Sequence, residues 1–434
     1  MPKAISIQSF PKAIVHVDGD SFFVGCEVAI DPSLKGKPVI TGKERGIVSA
    51  ASYEAKALGV KRGMSLFEVR RVSPKCIILP SNYELYSLFS VRMYDIVRRY
   101  TPEVEEYSID ECFADITGLR RHLNKSYQEI AEHIKKDLAS ELGITFSVGL
   151  APTKVLAKVA SKRNKPNGLC FISGKDIEVF LKDLPVEKVW GIGGQTGAFL
   201  NKQGVRTALE FVEKTFTWVE RNLSKPYKEI WHELRGSSVL PVSSNDHHVY
   251  KSIQKTKTFA PPSKDEVFVF SELSKNIENA CIKARRHKLK ARKIRFFIKT
   301  QDFRYFSREI TLRQGTNAPQ PIVNLIEGEF GKVFDSGLLY RTTGVTLCDL
   351  STETQRDLFG DFLEVEKVEE IASAVDEIDK KFGKHTVWLG TSTRALKGSR
   401  AIEKRQTASK CSRAPIKGET DRKHLYIPSL GEVG

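Results

Sequence analysis

Six segments between residues 250 and 348 follow an order that few folds accept. Runs at 250–259, 293–300, 304–313 and 339–348 read as strands, and runs at 267–290 and 319–334 read as amphipathic helices. The series is βαββαβ, a split, ferredoxin-like unit of one sheet backed by two helices. A chain of 434 residues is too long for one core, so this unit is one domain among several.

The upstream half is a different mixture. Residues 12–18, "KAIVHVD", alternate as a short buried strand, and "KPVIT" and "GIVSAAS" follow as two more. A helical pattern over 84–100 puts Leu85, Leu88, Phe89, Met93, Ile96 and Val97 on one face. Strands are expected near 103–107 and 112–116, meeting at "SIDE". Next comes a helix with Ser126 and Glu129 as a capping box and Gly143 as its stop. "ITFSVGL" is a strand, "PTKVLAKVASKRN" a helix with Pro152 in its first turn, and "GLCFI" a strand. This alternation is α+β, a sheet layered on helices. From about 184 to 243 no strand is read, and "VWGIGGQTGAFLNKQGV" suggests two short helices around a Gly-Ile-Gly turn. Residues 351–434 contain one amphipathic helix near 364–382 and then a basic, Ser- and Lys-rich stretch expected to be mobile.

Charge narrows the function. Lys and Arg number 69 against 53 Asp and Glu, a net charge of +16 and a pI near 9.4. A polyanionic partner, nucleic acid first, is the natural inference, with a solvated basic surface as the alternative. Seven dispersed cysteines without a CxxC pair fit a reducing, cytoplasmic setting rather than a disulfide scaffold or zinc site. His247-His248 lacks companions for a metal set and reads as a surface loop. No apolar run approaches a membrane span, and no signal-peptide pattern opens the chain.

The chemistry is carried by carboxylates. Asp18 ends the first strand and Asp20 follows it, while Asp110 and Glu111 sit side by side between two strands. If those strands are neighbours, Asp18, Asp110 and Glu111 converge. Oxygen-only ligands select hard cations, so Mg²⁺ is expected, with Mn²⁺ as a substitute. Two such ions are a means of in-line displacement at phosphorus. A pair of solvated turn carboxylates is the bland alternative.

"DGDSFF", "SYEAKALGVKRGM", "SNYELY", "YSIDE", "SVGLAPTKVLAK", "NKPNG", "VWGIG" and "ELRG" occur in this order over about residues 12–400. The chain thereby resembles the Y-family DNA polymerases, the lesion-bypass polymerases, and among them the UmuC-like branch. The resemblance implies a right-handed polymerase: palm at 11–30 and 81–182, small fingers at 31–80, a helical thumb at 183–243, a little finger at 244–350 and a tail from 351 to 434. It implies template-directed, error-prone synthesis past lesions, with primer–template DNA and deoxynucleotides as substrates. It makes Asp18, Asp110 and Glu111 the catalytic metal ligands of two Mg²⁺ ions, with the Gly19 carbonyl as a further ligand and Asp20 structural.

Phe23 matches the family's steric gate against a 2′-hydroxyl, and Phe22 beside it is taken as a further nucleotide contact, the alternative being that one or both lie in the core. Tyr53, Lys56 and Lys165 match the triphosphate contacts, Lys56 standing where Arg is common. Gly191 and Gly193 match a helix-hairpin-helix that binds DNA phosphate through backbone N–H groups. Lys251 and the basic run containing Arg285 and Arg286 are further DNA contacts. "QRDLF" resembles a bacterial sliding-clamp peptide, in which Gln355 hydrogen-bonds and Leu358 and Phe359 fill a pocket. A UmuD-like subunit, a recombinase filament and an SOS damage response are what the branch adds. A palm-fold nucleotide cyclase and a catalytically dead DNA-binding scaffold are the rival readings.

Overall fold

The computed structural model describes residues 9–244, 250–352 and 361–397, the last segment with side chains from residue 367. They form two compact units, divided between residues 246 and 247. Among the described residues no helix is long and apolar enough to cross a membrane.

The strands of the first unit are β1 (Ile14–Gly19), β2 (Val39–Thr41), β3 (Ala50–Ala51), β4 (Ile77–Leu79), β5 (Val104–Ser108), β6 (Glu111–Asp115), β7 (Phe146–Ala151) and β8 (Leu169–Phe171). β1 lies at the centre of a sheet ordered β5-β6-β1-β7-β8, and β2, β3 and β4 make a small separate sheet ordered β3-β2-β4. Every residue of β1 is buried, which is why its sequence, His16 apart, is apolar on both faces up to Asp18. Helices α1 (Phe22–Ile30), α2 (Tyr83–Arg98), α3 (Tyr127–Leu142) and α4 (Lys154–Arg163) complete the layers.

One sheet face sends Val15, Val17, Cys112, Ala114, Val148 and Leu150 into a core with Met93 and Ile96 of α2 and Ile130, Ile134 and Leu138 of α3. Each Val, Leu, Ile or Met side chain among these, fully buried, contributes about 1.5–3 kcal/mol. The buried stripe of α2 is Tyr86, Ser90, Met93, Tyr94, Ile96 and Val97, whereas Leu85, Leu88 and Phe89, expected on the same face, are only half-buried. The Ser126–Glu129 capping box and the left-handed Gly143 are both present on α3. The other face sends Ile14 and Phe113 against Val155, Leu156 and Ala160 of α4 and against the short helices up to Leu234.

α4 approaches the sheet at Gly149, opposite His16. A Cβ there would stand 2.2 Å from the Ala157 carbonyl oxygen and 2.3 Å from the Ser161 nitrogen. Both are helix backbone and cannot turn aside. Gly149→Ala is therefore expected to lower stability by about 1–3 kcal/mol through overpacking, measured by denaturant melts; an unchanged midpoint would contradict this packing. α4 starts at Lys154 with Thr153 as N-cap, its hydroxyl accepting from the Leu156 N–H at 3.3 Å, so Pro152 lies outside the helix and not in its first turn.

The expected hairpin of two short helices is one 3₁₀ turn, Val186–Lys188, followed by the helix Gly194–Lys202. Gly191 has φ 91° and a Cβ on it would meet Ile230 at 2.6 Å, so glycine is required there; Gly193 has φ −80° and open space, so it is not.

The second unit holds β9 (Ser252–Ser263), α5 (Glu266–Arg286), β10 (Lys290–Thr300), β11 (Tyr305–Thr316), α6 (Pro319–Phe330) and β12 (Tyr340–Ser351), then α7 (Asp361–Phe382). The βαββαβ order is as read, in an antiparallel sheet ordered β11-β10-β12-β9. α5 ends four residues early, and Lys288 turns with φ 53° into β10. The run "KARRHKLKARKIR" is thus split across a helix end, a turn and a strand, so its charges share no single face. Residues 389–395, expected to be mobile, pack on α5: Thr391 pairs with Ser274 at 2.6 Å, and the Ala395 N–H donates to Ser271 at 3.0 Å.

Candidate active site

Asp18 pairs in register with Glu111 across β1 and β6, and the Gly19 N–H donates to the Asp110 carbonyl at 2.9 Å. Asp18 and the adjacent pair Asp110 and Glu111, far apart in the chain, thus come to the same end of the sheet. Asp18 and Glu111 share the face on which α4 lies, because His16 and Phe113, two residues before and after, face it too. Asp18 is 5 % exposed. Burial pushes its carboxyl up to about 6, the Lys165 ammonium opposes this, and Glu111 and Asp110 add to the rise.

Each acid is held by a named partner. Lys165 Nζ pairs with the Asp18 carboxylate and stands 3.8 Å from that of Asp20. Lys158 Nζ donates to Glu111 at 2.6 Å, and Ser108 Oγ donates to Asp110 at 2.7 Å. Lys158 also lies over the rings of Tyr107 at 4.3 Å and Trp190 at 5.1 Å, while Trp190 Nε1 donates to the Tyr107 hydroxyl at 3.0 Å. This cage, in which Lys158 is buried while Tyr107 stays exposed, fixes the angle of Glu111 and was missed in the sequence. Its signal was a pair of lysines four apart, Lys154 and Lys158, inside an apolar helix.

Asp20 is tied into the scaffold: its carboxylate accepts from Ser147 Oγ at 2.9 Å, the Asn167 N–H at 2.7 Å and the Tyr53 hydroxyl at 3.4 Å. Tyr53 opens a short helix capped by Ser52, and Lys56 on its next turn lies over the Tyr53 ring at 4.1 Å and donates to Ser21 Oγ at 2.8 Å. Burial and the nearby Lys165 charge lower the pKa of Lys56. Two ammonium groups therefore converge beside the acids at a cost in mutual repulsion, which a polyanion between them would relieve.

Phe22 is a correction. Its ring is 2 % exposed in the core and a Cβ on Gly19 would meet it at 2.6 Å, so it cannot face a nucleotide. Phe23, next along α1, is half-buried, stacked on Tyr86 at 4.3 Å and edge-on to Tyr83 at 5.5 Å. Tyr86 is in turn locked by donating to Glu27 at 2.8 Å.

Arg285 is a second correction. It donates to both Asp376 oxygens, at 2.6 and 2.7 Å, and to the Asn317 carbonyl at 2.6 Å, which makes it a clamp between α5 and α7 rather than an open phosphate contact. Arg286 and Lys251 are exposed. The sheet face opposite α5 and α6 is polar and open, with Gln254, Thr256, Thr258, Arg295 and Ser307 exposed on it. Gln355, Leu358 and Phe359, like His247 and His248, lie outside the described residues.

The donor set fits a hard divalent cation: three carboxylates, one of them pushed up by burial and, to a lesser extent, by its like-charged neighbours. As these side chains stand, Lys165, Lys158 and Ser108 engage them, and among the described residues no three acidic, His or Cys side chains converge on a single point.

Residues 17–162 match the impB/mucB/samB family, and residues 250–358 match the C-terminal domain of that family. DNA polymerase IV of Desulfatibacillum aliphaticivorans is 33% identical over 383 residues, which is 86% of this chain and 95% of that protein. DNA polymerase IV of Streptococcus pyogenes serotype M1 is 33% identical over 362 residues, 82% of this chain and 97% of that protein. A solved Y-family DNA polymerase chimera, Dbh-Dpo4(243-245)-Dbh, superposes with a TM-score of 0.68 at 26% identity, covering 79% of this chain and all of that one. An insertion ternary complex of Dbh DNA polymerase superposes with a TM-score of 0.53 over the same 79%. These relatives bear the name DNA polymerase IV, so the UmuC-like branch, and the UmuD-like subunit that came with it, find no support in them.

Proposed function

Since this chain belongs to the Y-family DNA polymerases, we propose that it extends a primer on a template strand, transferring a nucleotidyl group from a deoxynucleoside triphosphate to the primer 3′-hydroxyl and releasing pyrophosphate. One observation supports this reading: Asp18, Asp110 and Glu111 lie at the same sheet end, beside Lys56 and Lys165. Carboxylates for cations and ammonium groups for phosphates, side by side, are what a nucleoside triphosphate requires.

Asp18, Asp110, Glu111 and the Gly19 carbonyl would hold two Mg²⁺ ions, which when bound acidify the attacking hydroxyl and offset charge on the triphosphate. Lys158 holds Glu111 at a fixed angle through its aromatic cage. Lys165 and Lys56 take the triphosphate, Lys165 exchanging its contact with Asp18 for a phosphate oxygen. Asp20 holds Tyr53 and the Asn167 loop in place.

The domain limits follow the sequence: palm 11–30 and 81–182, fingers 31–80, thumb 183–243, little finger 244–350 and tail 351–434. Fingers built on strands of 3, 2 and 3 residues make little cover for the nascent pair, in keeping with error-prone lesion bypass. Backbone N–H groups beside Gly191, with Arg286 and Lys251, hold DNA by its phosphates, so binding falls steeply with salt. Gln355, Leu358 and Phe359 dock a sliding clamp.

Phe23 guards the sugar. Its ring is backed by Tyr86, so a 2′-hydroxyl meets a surface that cannot yield, a clash of about 1–3 kcal/mol. Phe23→Ala is expected to raise ribonucleotide over deoxyribonucleotide incorporation by about 5- to 150-fold in single-nucleotide insertion assays. Unchanged discrimination would remove Phe23 from the site. The whole reading is tested by primer extension with the purified chain, on an undamaged template and past an abasic site. A cyclic nucleotide product, or DNA binding without extension, would favour the rival readings.

A further inference from the structure

The hairpin that joins β10 to β11 carries an aromatic cluster that core packing does not explain. Ile294, Phe296 and Ile298 of β10 enter the core, so the alternate residues Arg295, Phe297 and Lys299 face the opposite, open side of the sheet. Lys299 pairs in register with Tyr305 and with Thr342, and Phe297 pairs with Gly344. Phe297 lies across that glycine, where a Cβ would stand 2.3 Å from its ring. Tyr305 follows with its ring centroid 5.4 Å from that of Phe297.

Phe303 occupies the tip. Its N–H donates to the Thr300 carbonyl at 3.1 Å, and φ is 69°, a left-handed conformation suited to Gly or Asn. A Phe there costs about 1–2 kcal/mol. That cost is not recovered by burial, since Phe303 and Tyr305 are each 62% exposed. Cations gather on both rings: Lys299 Nζ is 4.4 Å from the Phe303 centroid and 4.8 Å from that of Tyr305, and the Arg341 guanidinium is 5.4 Å from Phe303. The acids of this face are already engaged, Asp302 by Arg304 at 2.6 Å and Glu309 by Arg295 at 2.6 Å.

A single exposed aromatic is ordinary. Two on one hairpin, one held in an unfavourable backbone conformation and both flanked by unneutralised cations, match the elements that bind unpaired nucleic acid: ring faces for bases and positive charge for the intervening phosphates. Duplex DNA held by its backbone needs no such rings. We propose that Phe303 and Tyr305 form a stacking site for the unpaired bases of single-stranded DNA, with Lys299 and Arg341 on the adjacent phosphates. The site lies in the second unit and does not depend on the catalytic assignment.

The test is equilibrium binding of the full chain to an oligo-thymidine carrying one 2-aminopurine, beside a blunt duplex of equal length. The double variant Phe303→Ala and Tyr305→Ala is expected to bind the single strand about tenfold more weakly and to lose the stacking change in 2-aminopurine fluorescence, with duplex affinity retained. Phe303→Gly, which relieves the left-handed backbone conformation, is expected to lose part of the same signal, while Tyr305→Phe keeps it. Lys299→Gln is expected to reduce the salt slope by about one. Equal loss on duplex and single strand would overturn the proposal in favour of a duplex backbone contact. Undiminished single-strand binding by the double variant would overturn it outright. Asp110→Ala is expected to bind the oligo-thymidine normally, so failure of the polymerase reading and failure of this one are separable.

Discussion

Asp110→Ala is expected to yield a folded chain that binds primer–template DNA and extends the primer about 1000-fold more slowly, since losing a ligand that stabilises several kcal/mol of developing charge costs about that factor. The fold has little to lose by the change. Asp110 is only half-buried, its side chain accepts one hydrogen bond, from Ser108 Oγ, and its carbonyl keeps the bond from the Gly19 N–H whatever the side chain. Thermal melts and DNA affinity should therefore match the parent chain, while steady-state extension collapses with Mg²⁺ and with Mn²⁺. Extension at close to the parental rate would take Asp110 out of the catalytic set. The chain would then be a cationic DNA binder with an ornamental acidic turn.

The largest stability effect is expected at Lys154. Its ammonium is buried and donates to both oxygens of Glu105 at 2.7 Å, and Glu105 also accepts from the Ser243 N–H at 2.9 Å. The two residues are 6 % and 8 % exposed. This pair ties α4 to β5 and to the chain beyond the short helices. Lys154→Met keeps the length and removes the charge, leaving a buried carboxylate unpaired, at a cost of about 3–5 kcal/mol. Chemical denaturation should register that loss, and the double variant with Glu105→Gln should recover part of it, because the stranded charge is gone. A single variant as stable as the parent would mean that water reaches Glu105 and the pair is not truly enclosed.

Much of the architecture was legible because it is periodic. The βαββαβ series, the Ser126–Glu129 box and the Gly143 stop are local patterns, and each is present with boundaries off by a few residues. Errors came where local pattern met tertiary constraint. The helix expected to 290 stops at Arg286, because β10 begins at Lys290 to pair with β12 at Ser351. Charge alone marked Arg285 as a phosphate contact, and only the fold brings Asp376 of α7 to it.

By itself the sequence determined that carboxylates end two apolar strands, that a basic chain surrounds them, and that one half folds as a split sheet-and-helix unit. Those are matters of residue type and spacing. The tertiary structure decided which groups meet: that Asp18 faces Glu111, that Lys158 and Lys165 rather than solvent hold those acids, that Phe22 turns inward while Phe23 rests on Tyr86, and which sheet face of the second unit stays open. The physical reason is register. A strand's pattern says that it has two faces, but only its pairing with strands a hundred residues away says which side chains share one, and a charge acquires its partner only when that register is set.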